Sequence, residues 1–272
     1  MGLFGYPVTH SLSPAMHNAA FAHLGMDYCY VTFSVKPDLL REAVTAIRAL
    51  DLKGVNVTVP HKENVVPFLD EVSEEASFIG AVNTIRNEGG MLTGFNTDGR
   101  GFMKSLSETG IDVSDKKVLL VGAGGAARSI GYYLCKEASE VCLYDAVTEK
   151  AEQLALHLNT LKGNACAIDT ATFKSGRFFS GTDIIINATP IGLKHDDPVP
   201  IDISLLERSH VVSDLIYKDT PLLQAASERG CRTMNGLGML LWQGIFAFEI
   251  WTGEMPPIEV MRTALKTVTR NE

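Results

Sequence analysis

The chain has 272 residues, 46% apolar and 21% charged, an ordinary globular mixture long enough for about two domains. Its formal charge of −8 excludes the basic footprint of a nucleic-acid binder, and an anionic ligand has to be held by local features against that field. The five cysteines, Cys29, Cys135, Cys142, Cys166 and Cys231, are odd in number and never spaced C-x-x-C. They are expected to be reduced, mostly buried small hydrophobes of a cytosolic protein, neither disulfide staples nor zinc ligands.

In chain order, a short strand is expected at 2–6, followed by a helix over 14–24. Ser13 caps that helix, Pro14 takes its first position and Gly25 ends it. A strand near 28–34 leads to a helix opened by Pro37. In GVNVTVPHKE, Val55, Val57 and Val59 alternate as in a half-buried strand, so Asn56 and Thr58 share the other face. Pro60 stops the ladder and Lys62 follows, so that polar face either meets water or lines a cleft. GAVNTIRN and MLTGFN read as two strands joined by a Glu88-Gly89-Gly90 turn, and a helix from 98 to 109 ends at Gly110. DKKVLLVGAGGAARSIGYYLCKEASEVCLYD is a buried strand, a glycine turn, a helix and a second strand. TDIIINATPIG and HVVSDLIY are further buried strands, followed by a helix near 220–229. From Gly236 onward two helices follow, the second opened by Pro256 and Pro257. The first contains the most apolar stretch, GLGMLLWQGIFAFEIW, which Gln243 and Glu249 interrupt, so it reads as a buried helix and not a membrane span. Strands alternating with helices from end to end predict an α/β protein with mostly parallel sheets.

Gly122, Gly124 and Ala127 fit G-x-G-x-x-[G/A] directly after KVLLV and open a helix. In that context the turn Gly122-Ala123-Gly124-Gly125-Ala126-Ala127-Arg128 brings backbone N–H groups up to a pyrophosphate. Asp145 ends the next strand about 20 residues on, where an acid bonds ribose hydroxyls. Thr148 is expected to cap the following helix, leaving Asp145 free. In the first hundred residues, Ser11 and Ser13 at a helix N-terminus suit a carboxylate. Taken singly, Lys62 reads as a solvated lysine, Asp98 as an N-cap and Asn83 as a turn residue.

Together, HSLSPAMHN, GVNVTVPHKE, GAVNT, NTDGRGF, VGAGGAARS, NATPIG, DLIY and NGLGMLLWQG occur in the order and at the spacings of shikimate dehydrogenases. The chain resembles that family over nearly its whole length. The resemblance implies a substrate-binding and catalytic domain over 1–98 and a Rossmann-type dinucleotide-binding domain over 99–235. The C-terminal helices over 236–272 would return to the first. It implies reversible reduction of 3-dehydroshikimate to shikimate with NADPH, on the route to aromatic amino acids. Ser11 and Ser13 would hold the substrate carboxylate, with Tyr217 nearby. Asn56, Thr58, Asn83 and Gln243 would bind the carboxylate edge or ring hydroxyls, and Lys62 and Asp98 would be the catalytic pair. Asn187, Thr189, Pro190, Gly236 and Met239 would join the glycine turn on the cofactor side. No metal, nucleic acid or membrane is expected, and the protein would be a cytoplasmic monomer or homodimer.

Two features depart from the family. The N-terminus is shorter than usual before the first strand. Most NADP-using members also carry Asn-Arg-Thr after the second nucleotide-domain strand, whereas this chain has Asp145-Ala146-Val147. NAD is therefore expected to serve better than NADP, with Arg128 and Lys150 the cations available to compensate. A quinate/shikimate dehydrogenase using NAD is the alternative reading, and a non-catalytic cofactor-binding sensor on the same fold is a third.

Overall fold

A computed structural model describes residues 1–194 and 196–269. These form two compact units, Met1–Gly101 with the segment from Leu240 onward, and Phe102–Met239.

The first unit holds β1 (Gly2–Gly5), α1 (Ser13–Leu24), β2 (Val31–Ser34), α2 (Leu40–Ala49), β3 (Gly54–Val57), β4 (Glu71–Val72), α3 (Glu74–Ile79), β5 (Thr84–Glu88) and β6 (Met91–Phe95). Its sheet runs β2-β1-β3-β5-β6-β4, with β5 antiparallel to both β3 and β6 and the remaining pairs parallel. Leu40, Val44 and Ile47 recur at helical spacing on α2 and pack with Phe4, Val55, Val57, Ile85 and Leu92 into one core. The second unit takes most of α4 (Asp98–Glu108) and contains β7 (Lys117–Val121), α5 (Gly125–Glu137), β8 (Glu140–Tyr144), α6 (Thr148–Asn159), β9 (Ala165–Ala167), α7 (Thr170–Phe173), α8 (Gly176–Ser180), β10 (Ile184–Asn187), β11 (Val211–Asp214), α9 (Pro221–Glu228) and β12 (Arg232–Met234). Its six strands are all parallel, in the order β12-β11-β10-β7-β8-β9. Counted from β7, this is the doubly wound 3-2-1-4-5-6 order, with its switch point between β7 and β10. The chain leaves the first unit within α4 and returns to it within α10 (Leu237–Thr252), which is followed by α11 (Ile258–Thr269). Among the described residues no helix is long and apolar enough to cross a membrane.

Several local expectations are corrected. All four residues of β3 are buried, because the strand lies inside its sheet, between β1 and β5; Val59 is outside the strand and 71% exposed. β2 begins only at Val31, since the Asn18 amide takes both backbone groups of Tyr30 at 2.7 and 2.9 Å. Ser13 does not cap α1: it is the first helical residue, and Leu12 holds the cap position. Thr148 likewise starts α6 as a helical residue, with Val147 before it and no side-chain cap.

His17 on α1 is fully buried, stacked on Tyr30 at 4.5 Å and tilted against Trp251 at 5.4 Å, and neither ring nitrogen has a hydrogen-bond partner. Burial, then the nearby chain N-terminus, lowers its pKa from 6.5 to about 3. A base depressed on folding contributes stability that is full above its unfolded pKa. That stability is lost as pH falls through 6.5 toward the folded value, because only the unfolded chain gains the proton. Stability should fall by roughly 1.4 kcal/mol per pH unit in that window from this group alone. Urea unfolding from pH 7 to 4 is expected to show one proton less of pH dependence in His17→Phe than in the parent.

Candidate active site

In the first unit the polar end of β3 meets the start of α4. Lys62, in the turn after β3, is held by its backbone carbonyl, which accepts from Val82 N–H at 2.8 Å. Its ammonium donates to Asp98 Oδ2 at 2.6 Å, with the lysine side chain 22% and the aspartate 6% exposed. At that length and burial it is a charge-assisted bond held in place, not a solvated surface pair. Among the described residues Lys62 has no second partner, so two of its N–H groups remain to meet a ligand. Asp98 opens α4, its backbone N–H donates to Asn96 Oδ1 at 3.1 Å, and its Oδ1 accepts from Asn83 Nδ2 at 2.8 Å.

Asn83 is not a simple turn residue. Its Nδ2 also donates to Thr97 Oγ1 at 2.9 Å, and its Oδ1 accepts from Thr97 N–H at 2.8 Å and Thr84 Oγ1 at 2.9 Å. Asn56 is equally committed. Its Nδ2 donates to the Asn83 carbonyl at 3.1 Å and Thr84 Oγ1 at 3.0 Å, while its Oδ1 accepts from the Tyr30 hydroxyl at 2.8 Å. Burial raises the Tyr30 phenol pKa, with the Ser13 bond opposing, so the group stays a neutral donor. Tyr30, Asn56, Asn83, Thr97, Asp98 and Lys62 thus form one connected chain of hydrogen bonds. Thr97 Oγ1 is also close enough to donate to the Gln243 carbonyl, at 3.0 Å, and the Gln243 Nε2 donates to Leu240 O at 2.7 Å. Ser11 is engaged as well, its Oγ accepting from Ser13 N–H at 3.3 Å, but its own hydroxyl proton stays available. Thr58 is half-buried, and its hydroxyl has no partner among the described residues. Sequence reading missed Tyr30 and Thr97. The only trace of Thr97 was its place immediately before Asp98 in NTDG.

In the second unit the glycine turn follows β7 at the switch point. Gly122 has φ +107°, and a Cβ there would press on Thr189 and the backbone of Ala188. Only glycine permits both the conformation and the approach. Gly124 caps α5 with no side-chain bond and open space where a Cβ would point, which leaves a backbone-lined opening at the helix N-terminus. The residues present therefore fit a pyrophosphate. Asp145 is not free: Oδ2 accepts from Ala123 N–H and Oδ1 from Val147 N–H, both at 2.9 Å. It clamps the glycine turn to the end of β8. The Arg128 guanidinium, on a half-buried residue in the first turns of α5, has no hydrogen-bond or ion-pair partner among the described residues, and Lys150 is exposed on α6. Asn187 bonds Asp214 Oδ1 and the Ile191 carbonyl at 3.1 Å, and accepts from Thr189 Oγ1 at 2.6 Å. The fully buried Asp214, a residue given no role from sequence, also accepts from Thr220 Oγ1 at 2.8 Å and Ile216 N–H at 3.1 Å. Burial raises its pKa, and those bonds oppose the shift. Tyr217 lies half-buried in the bend after β11 and belongs to this unit, as do Pro190 and Met239. Gly236 donates its N–H to Ile216 O at 3.0 Å, and any side chain there would strike Leu215 O.

A doubly wound sheet with this turn at its switch point, continuous in one chain with a mixed-sheet unit carrying a half-buried lysine–aspartate pair, defines a two-domain dehydrogenase architecture. The comparisons are more specific. Residues 3–85 match the model of the shikimate dehydrogenase substrate binding domain, and 236–266 that of the shikimate 5'-dehydrogenase C-terminal domain. Shikimate dehydrogenase (NADP(+)) of Desulforamulus reducens is 46% identical, covering 97% of this chain and 93% of that protein. The crystal structure of shikimate dehydrogenase from Aquifex aeolicus superposes with a TM-score of 0.91 at 41% identity, covering 97% and 96% of the two chains. Shikimate 5-dehydrogenase from Listeria monocytogenes, in complex with shikimate and NAD, gives 0.89 at 38% identity over 97% and 95%. The chain belongs to the shikimate dehydrogenase family.

Removing the Asn83 amide leaves Asp98 Oδ1, the Thr97 backbone N–H and Thr84 Oγ1 short of a partner in a buried setting. Asn83→Ala is expected to cost about 2 kcal/mol or more in denaturant unfolding, the scale of one or more unsatisfied buried groups. A loss below about 0.5 kcal/mol would show that the surroundings close over the gap.

Proposed function

We infer that the chain is an NAD(P)-dependent shikimate dehydrogenase, reversibly reducing 3-dehydroshikimate to shikimate in aromatic amino-acid biosynthesis. The observation that carries this reading, beside family membership, is the Lys62–Asp98 bond of 2.6 Å with two lysine N–H groups still to spend. Hydride addition to a ketone builds negative charge on oxygen; an ammonium beside that oxygen stabilises the charge and supplies the proton. Asp98, fixed by Asn83, aims the lysine. Ser11 and Ser13 are proposed to receive the substrate carboxylate with Tyr217 near it, and Thr58 and Gln243 its edge or hydroxyls. Asn56 and Asn83, whose amides are spent inside the protein, support this reading as positioning residues more than as ligands. The glycine turn, with Asn187, Thr189, Pro190, Gly236 and Met239, is proposed to hold the dinucleotide, which when bound supplies or accepts the hydride. A cytoplasmic location agrees with five free cysteines.

The finer proposal concerns the cofactor: NAD serves better than NADP. Asp145 is pinned by two backbone N–H groups, so a 2′-phosphate brought near it cannot turn the carboxylate away without breaking the clamp on the glycine turn. Arg128, with no partner, is the cation that opposes this preference.

Two measurements follow. Purified protein should show shikimate-dependent reduction of the nicotinamide followed by absorbance, and Lys62→Ala and Asp98→Ala should each lower kcat at least about a hundredfold with the fold retained. Near-normal turnover in either would remove that residue from the chemistry. Catalytic efficiency at saturating shikimate should be higher with NAD than with NADP by about tenfold, equivalent to 1.4 kcal/mol, and Asp145→Ala should narrow the ratio. A parent enzyme favouring NADP, or an unchanged ratio in the variant, would end the cofactor proposal and leave the activity standing.

A further inference from the structure

The cysteines of the second unit are not scattered. Cys142 on β8 and Cys166 on β9 are direct partners in a parallel ladder, so both side chains leave the same face of the sheet. Their sulfurs lie 3.3 Å apart. Glu140, two residues before Cys142 and therefore on that face, brings a single oxygen, Oε1, to 3.2 Å from the Cys142 sulfur and 3.7 Å from the Cys166 sulfur. Its other oxygen, Oε2, is held by the Lys117 ammonium at 3.1 Å, which in turn lies 4.9 Å over the Phe178 ring. Cys142 is buried and Cys166 half-buried, and the three donor atoms lie within 4.8 Å of one another.

We propose that Glu140, Cys142 and Cys166 form a binding site for a thiophilic divalent cation of the zinc type. The geometry supports it first. A triangle with sides 3.2, 3.3 and 3.7 Å has a circumscribed radius of about 2.0 Å, and a cation raised about 1.2 Å from its plane lies near 2.3 Å from each donor, the length of a zinc–thiolate bond. Three protein ligands on one side leave a fourth position for water. Charge supports it second. Two thiols, one carboxylate and one ammonium sum to zero; replacing the two thiol protons by a divalent cation, with both sulfurs as thiolates, again sums to zero. The exchange releases two protons, breaks two S–H bonds and needs no oxidant. Lys117 does not compete, because it keeps Oε2 while the cation takes Oε1. Ligand type supports it third: two soft sulfurs and one oxygen select zinc or cadmium over magnesium or calcium. The bound ion would join β8 to the edge strand β9, two residues before the end of β8 and just ahead of Asp145.

The test uses full-length protein, stripped with a chelator and kept reduced by a phosphine, titrated with cadmium alone. One equivalent per chain is expected, with a thiolate-to-cadmium absorption band and a rise in melting temperature. Cys142→Ser, Cys166→Ser and Glu140→Gln should each weaken uptake at least tenfold, while Cys29→Ser, which alters an exposed thiol elsewhere, should not. Absence of stoichiometric uptake by reduced protein, uptake unchanged in folded Cys166→Ser or Glu140→Gln, or uptake lost in Cys29→Ser would each overturn the proposal.

Discussion

One buried amide organises the first unit. Asn83 has a single acceptor oxygen and two donor hydrogens, and all are committed, to Thr84 beside it and to Thr97 and Asp98 from the start of α4. Its value lies in low exposure: where water cannot substitute, a hydrogen bond left unmade costs the whole desolvation of the group. The orientation of Asp98 is consequently set by the fold, and through Asp98 the position of the Lys62 ammonium. A lysine side chain in water would sample many rotamers, and fixing one costs entropy. That cost is met during folding, before any ligand arrives, which is what preorganisation means in physical terms.

The second unit repeats the principle with different residues. At the carboxyl ends of its central strands, Asp145 ties β8 to the glycine turn, and Asn187 ties β10 to Asp214 at the end of β11. Strand ends in an open parallel sheet carry backbone groups that the ladder no longer satisfies. Side chains placed there close the loops and shape the crevice where ligands of such sheets bind. Asp214 shows the expense of this arrangement. A carboxyl group with no exposure is disfavoured in its charged form, and three donors around it offset that penalty.

The alternation of strands and helices was legible because apolar periodicity and glycine punctuation are local signals. So β5 and β6 with their Glu88-Gly89-Gly90 turn, β7, β8 and β10, and the helices starting near Asp98, Pro221 and Leu237 stand where the residues suggested. Residue types at the candidate site were suggested only through family resemblance. What each side chain bonds was not. Tyr30 reaches Asn56 and Thr97 reaches Gln243 across long stretches of chain, and spacing carries no information about such partners. The same limit explains the local misreadings. Ser13 and Thr148 have the chemistry of helix caps, but capping depends on backbone angles that begin one residue earlier than the sequence suggests. Cys142 and Cys166 looked unrelated because β8 and β9 are brought into register only by α6 folding between them.

The saturation of the Asn56 and Asn83 amides also bears on how this protein can change over generations. A side chain whose donors and acceptors are all engaged is not a free variable, since altering it strands several neighbours at once and selection acts first on folding. Ser11 and Thr58 are under no such restriction: one hydroxyl accepts a single local bond and the other has no partner among the described residues. Substitution there changes what the surface offers a ligand without unsettling the interior. On the proposed assignment, new substrate preferences would arise at those two hydroxyls, while the amide-linked interior stays constant beneath them.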